Sequence, residues 1–257
     1  MSGLDQLVVV LAGLGAGVLS TTVGVASLLS FPVLLAVGLP PVVANVSNTI
    51  GLVPSGVGGG LGYREELRVQ PRVTVAVMVL TGLGGAAGAA LLLALPPGVF
   101  EAIVPWLILG TCLLVGIQPR LSAWLADRRA RAGGELRPRL RLSTPATGFV
   151  VLTGVYGGYF GAGAGVMMLA TLALALDIDL RVLAGIRTTA LLASNLVAAA
   201  VFVVVAEVDW RAVALLSVSS IVGGYVGARV ARRLPAAVLR ALVVAAGSTA
   251  SVAMLVR

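Results

Sequence analysis

The 257-residue sequence contains no histidine, no lysine, one cysteine and only 10 acidic residues. Each absence closes off a class of chemistry. Without histidine there is no Ser-His or Cys-His pair of the usual kind for nucleophilic catalysis. No metal-ligand spacing exists, and no cofactor is expected. The acids are Asp5, Glu65, Glu66, Glu101, Asp127, Glu135, Asp177, Asp179, Glu207 and Asp209, nearly all in predicted loops or at the ends of apolar runs. No carboxylate pair lies within a run, which argues against an acid–base enzyme and against a carboxylate proton relay. Cys112 lies in an apolar run, excludes a disulfide within one chain, and reads as a small buried hydrophobe. Residues Met1 to Gln6 carry Asp5 and no basic side chain, unlike the positive start of a cleaved signal peptide.

What is present is apolar. The chain is 59% hydrophobic and 11% charged, with a mean hydropathy of +1.07. A soluble domain of this length needs far more polar surface. At about 20 residues per span, the length allows roughly ten spans. The net charge of +8 comes from arginine. Most arginines sit in short loops between apolar runs, which fits the positive-inside rule better than nucleic-acid binding.

The chain repeats itself. Gly13, Gly17, Gly24 and Val25 recur at a constant offset as Gly154, Gly158, Gly165 and Val166. Gly85, Gly88, Ala89 and Pro96 recur as Gly224, Gly227, Ala228 and Pro235. Such duplication predicts two copies of one unit. The expected organisation is a first repeat at 1–118, a cytoplasmic arginine-rich linker at 119–143 and a second repeat at 144–257. Each half opens with a long apolar stretch, Asp5 to Gly38 and Thr144 to Asp177, broken by small or polar residues at Ser20 to Gly24 and Gly161 to Gly165. Glycine is a poor helix former and permits sharp turns, so each stretch reads as a broken hairpin of two short helices. Three spans follow in each half, near 42–61, 73–95 and 99–117, then near 182–206, 212–228 and 238–256. The fold class is therefore an all-α integral membrane protein with two inverted repeats, each a broken helical hairpin followed by three transmembrane helices.

Charge supports the inversion. With the linker in the cytoplasm and each stretch counted as a hairpin, fifteen arginines fall inside and two, Arg211 and Arg257, outside; Arg187 lies within a span. If each stretch crosses once, the split worsens to twelve against five. The positive-inside bias favours the hairpins.

Chemistry then rests on the helix breaks. A helix N-terminus offers free N–H groups and partial positive charge, which suit an oxyanion. Two such ends, near Thr21, Thr22 and Gly24 and near Ala162, Gly163 and Gly165, are expected to converge on a central site. Alternatively, these glycines only let helices pack closely. Asn45, Asn48 and Thr49 share a helix face at i, i+3, i+4 spacing, with Ser47 and Ser55 nearby. Arg187, Ser194 and Asn195 share a face in the second half, with Thr188 and Thr189 adjacent to Arg187. Their amides, hydroxyls and guanidinium could bind an anion, bond neighbouring helices or, for Arg187, snorkel to the surface.

Several motifs resemble one family. They are Gly13-x-Gly15-x-Gly17, Pro32-x-Leu34-Leu35-x-x-Gly38-x-Pro40 and Ala44-x-x-Ser47-Asn48 in the first half. In the second they are Gly154-x-x-x-Gly158-x-x-Gly161-x-Gly163-x-Gly165, Ala184-Gly185-x-x-Thr188, Val208-Asp209-Trp210 and Gly223-Gly224-x-x-Gly227-Ala228. In order and duplication they resemble the sulfite exporter TauE/SafE family of permeases across nearly the whole chain. The resemblance implies a bacterial inner-membrane permease for sulfur-containing anions such as sulfite or organosulfonates. Ser20-Thr21-Thr22 departs from that family's richer use of glycine, which bears on substrate choice rather than class.

The function expected is a secondary carrier, an exporter, alternating access at the repeat interface. An anion channel of the same fold and a non-transporting membrane scaffold are the rivals. The expected partners are a small anionic substrate and the lipid bilayer, with a homodimer as a further option and no nucleic acid.

Overall fold

A computed structural model describes the backbone of residues 2–22, 24–131, 140–230 and 236–255. Every regular element among the described residues is helical. The first half contains α1 (Gly3–Thr22), α2 (Ser27–Ala36), α3 (Pro41–Gly62), the short α4 (Arg64–Leu67), α5 (Pro71–Ala94) and α6 (Pro97–Arg131). The second contains α7 (Thr144–Tyr159), α8 (Ala164–Ala175), α9 (Leu180–Val205), α10 (Trp210–Val230) and α11 (Ala236–Leu255).

Local chemistry sets these boundaries. Pro41, Pro71 and Pro97 open α3, α5 and α6, where a missing N–H costs nothing. Ser143 caps α7, its hydroxyl accepting from Ala146 N, and Asp179 caps α9, its carboxylate accepting from Arg181 N at 2.7 Å. Gly38, at φ +90°, turns the chain out of α2. Both expected breaks are present, at residues 24–26 and 160–163. The first hairpin differs in detail from the expected pair of short helices, whereas the second pairs α7 of 16 residues with α8 of 12. α1 has 20 residues and is long enough to span, whereas α2 has 10 and rises only about 15 Å. α6 continues past the expected span end to Arg131, running through Pro105 and Pro119. Residues 132–139 of the expected linker lie outside the described set.

Four helices are long and apolar enough to cross a membrane, among the described residues: Gly3–Ser20, Pro71–Ala94, Pro97–Leu121 and Leu180–Val205. Several helices have apolar outward faces. Leu4, Leu7 and Leu11 on α1, Val75, Val79 and Leu83 on α5, and Val218, Ile221 and Tyr225 on α10 are all exposed. Stripes of this kind on several helices suit lipid, not water.

Packing is reciprocal between the halves. α1 lies along α10 and α7 along α5; α3 packs on α10 and α9 on α5; α3 meets α9, and α6 meets α11. The short helices follow suit, α2 touching α3 and α11, α8 touching α9 and α6. The repeated glycines make two of these crossings. A Cβ on Gly158 would overlap the Gly85 carbonyl, and one on Gly17 would overlap Ser220 O and stand 2.5 Å from Gly224 N. Backbones meet there directly, so only glycine fits.

Candidate functional site

The two helix breaks touch each other. Gly24 at φ +81°, Gly161 at +79° and Gly163 at +76° adopt backbone conformations that other residues rarely take. A Cβ on Gly165 would stand 2.6 Å from Gly24 O. These two glycines are counterparts in the repeat. Nearby, Phe31 of α2 packs edge-on against Phe160 of the second break, ring centroids 5.3 Å apart.

Arg187 reaches this junction from α9. It is 5% exposed. Its guanidinium lies against the first break, with Nη1 2.9 Å from where a Gly24 Cβ would sit. Its Nε has no hydrogen-bond partner, and among the described residues no carboxylate pairs with it. An uncompensated cation in such a place is costly and marks a site that an anion can complete.

A cavity of about 70 Å³ opens beside it. By that measure a water needs roughly 10–15 Å³, so several waters or one small oxyanion fit. The first break supplies Ser20, Gly24, Ala26 and Ser27 to its wall; α3 supplies Ser55 and Gly56; the second break supplies Gly161; α9 supplies Arg187, Thr188, Leu191, Leu192 and Asn195. Hydroxyls and an amide thus surround one guanidinium. The guanidinium and the Asn195 amide can donate hydrogen bonds to an oxyanion, whereas the Thr188 and Ser55 hydroxyls already donate to Ala184 O and Leu52 O.

The expected site residues divide into groups. Gly24, Arg187, Thr188 and Asn195 line the cavity. Thr21 and Thr22 close α1, and their side chains lie outside the described set. Ala162, Gly163 and Gly165 do not line it. Ala162 O accepts from Thr111 Oγ1 at 3.0 Å and from Tyr156 OH at 2.7 Å, Gly163 faces the Thr111 methyl, and Gly165 faces Gly24. Asn45, Asn48 and Thr49 are buried on α3 and also lie off the cavity. Asn45 Nδ2 donates to Tyr159 O at 2.9 Å, Ser30 Oγ donates to Asn48 Oδ1 at 2.5 Å, and Thr49 Oγ1 donates back to Asn45 O. The two asparagines therefore join helices, as one of the two sequence readings held. Ser47 does likewise, accepting from Asp209 N at 2.9 Å.

The Thr111–Tyr156 pair pins the second break to α6. Tyr156→Phe is expected to lower thermal stability by about 1 kcal/mol, and Tyr156→Phe with Thr111→Val by more than the two single changes together. Only the double variant leaves Ala162 O without both hydroxyls. Unfolding of the purified variants in detergent measures this.

The sequence model of the sulfite exporter TauE/SafE family matches residues 9–254. The chain belongs to this family. It is similar to a "Probable membrane transporter protein" of Haemophilus influenzae, 25% identical over 245 residues that cover 94% of this chain and 91% of that one. A protein of similar description from a Sinorhizobium species is 28% identical over 233 residues, covering 89% and 84%. No solved structure matches the chain. This TauE/SafE family member is a multi-pass membrane transporter, and the family and relatives indicate transport rather than enzymatic turnover.

Sequence reasoning missed Ala26, Ser27 and Gly56 in the TauE/SafE cavity wall. Ser27 carried a signal, a hydroxyl residue opening the apolar run just after a break. Ala26 and Gly56 carried none, because a small residue in an apolar stretch looks the same beside a cavity as beside a helix.

Proposed function

We propose that the protein is a secondary carrier that exports a small sulfur-containing anion, such as sulfite or an organosulfonate, across a bacterial inner membrane. The observation that carries this is Arg187: buried, without a carboxylate partner among the described residues, facing a small cavity where both helix breaks meet. The sulfur class comes from family membership. The reciprocal helix packing and the arginine distribution support two inverted repeats. In such carriers one repeat rocks against the other around a site at their interface, giving alternating access. The inside-negative potential favours outward movement of an anion by about 2.3 kcal/mol per charge at 100 mV.

Counterflow in liposomes tests this. Unlabelled sulfite inside the vesicles is expected to accelerate entry of labelled sulfite, with saturation. Flux that neither saturates nor responds to internal sulfite would mean a channel. No flux at all from well-folded protein would leave the scaffold reading.

A further inference from the structure

We infer that the site accepts its substrate as a singly charged anion, so that sulfite crosses as hydrogensulfite with its proton aboard. This rests on the carrier reading above and concerns which ionic form that carrier takes.

The inference follows from the charge around the cavity. Among the described residues, Arg187 is the one full charge in the wall. The helices packed around it add little. α2, α3 and α8 contain no charged residue. α7 contributes only the uncharged Tyr156 and Tyr159, and α5 only Arg72, beside its opening proline. α4 carries Arg64, Glu65 and Glu66, and the first two are exposed. Tyr63, just before α4, packs against α9 at Gly185. Arg181 shares α9 but is exposed in its first turns, and Asp5 sits at the far end of α1, about 25 Å of helix from the break.

Helix dipoles do not alter the balance. The first break brings the C-terminus of α1 and the N-terminus of α2 to the same wall, where Ser20 and Ser27 both line the cavity. Their partial charges are opposite and largely cancel. The N-terminus of α8 packs on Thr111 and Gly24 instead of lining the cavity. The site therefore holds close to one net positive charge.

One negative charge neutralises it. A second would be buried without a partner, which proteins avoid. With no histidine in the chain and no carboxylate in the wall, the proton of sulfite has no residue to pass to and stays on the substrate.

Methanesulfonate and sulfate test this, because they match in size and tetrahedral shape and differ by one charge. Purified full-length protein is loaded with labelled sulfite, and each anion is used to displace it. Methanesulfonate is expected to displace at concentrations at least about tenfold lower than sulfate. Sulfite affinity is expected to fall as pH rises through sulfite's second ionisation, while methanesulfonate affinity stays flat. Sulfate displacing as well as methanesulfonate, or sulfite binding more tightly as the dianion, would overturn the inference and leave the carrier reading standing. Failure of labelled sulfite and of both competitors to bind folded protein would remove both.

Discussion

Arg187→Gln is expected to abolish measurable sulfite binding while leaving the ligand-free protein at least as stable as the parent. Two charge-assisted hydrogen bonds, at roughly 1.5–3 kcal/mol each, correspond to a loss of at least about a hundredfold in affinity. Stability should move the other way. Arg187 is buried, its Nε has no partner, and no carboxylate pairs with it among the described residues. Replacing an uncompensated cation by a neutral side chain removes its desolvation penalty, a gain of about 1 kcal/mol or more. Arg187→Lys keeps the charge and loses the planar fork, so partial binding is expected. Labelled-sulfite binding and thermal unfolding of ligand-free protein, measured on the same samples, check both halves. If Arg187 instead held the fold together, Arg187→Gln would unfold at lower temperature and lose binding only for that reason.

Gly158→Leu is expected to yield no monodisperse protein, whereas Gly148→Ala on the same helix is expected to fold normally. A Cβ on Gly158 would overlap the Gly85 carbonyl, which is backbone and cannot rotate away. Ordinary overpacking costs about 1–3 kcal/mol because side chains give way, and here none is in the path. Gly148 has nothing within 4 Å of its added Cβ, so alanine there gains roughly 0.5–1 kcal/mol of helix propensity. The same failure is expected for Gly17→Leu, since α1 crosses α10 as α7 crosses α5. Size-exclusion profiles in detergent measure this. A well-folded Gly158→Leu would contradict the close crossing.

Much of the architecture was readable because membranes impose simple rules. Spans expected near 42–61, 73–95 and 182–206 correspond to Pro41–Gly62, Pro71–Ala94 and Leu180–Val205. The apolar run sets each length, and prolines or caps set each start. The breaks were legible because hydroxyl residues with Gly24 in the first stretch, and a glycine cluster in the second, cannot continue a helix cheaply. The end of α6 was not. Its last turns, through Trp124 and Arg131, lack an apolar face, so periodicity said loop where the backbone stays helical.

The site was legible in part. Arg187 stood out because a charge inside an apolar run must have a reason. Asn45 and Asn48 stood out for the same reason, yet their amides reach Tyr159 and Ser30 instead of the cavity. A polar stripe on one helix does not say which neighbours it will reach, and here Asn45 Oδ1 and Asn48 Nδ2 are left without a partner among the described residues.

The paired breaks are less symmetric than their sequences imply. Composition and the positions of small residues were enough to set the membrane class and the location of both breaks, since these follow from local backbone preference and from the length of apolar runs. Tertiary structure alone decided that Gly24 meets Gly165, that the second break is pinned by Tyr156 and Thr111, and that Arg187 faces the first. Those contacts join residues far apart in the chain, and which helix lies against which is set by how glycine faces fit together across the whole molecule.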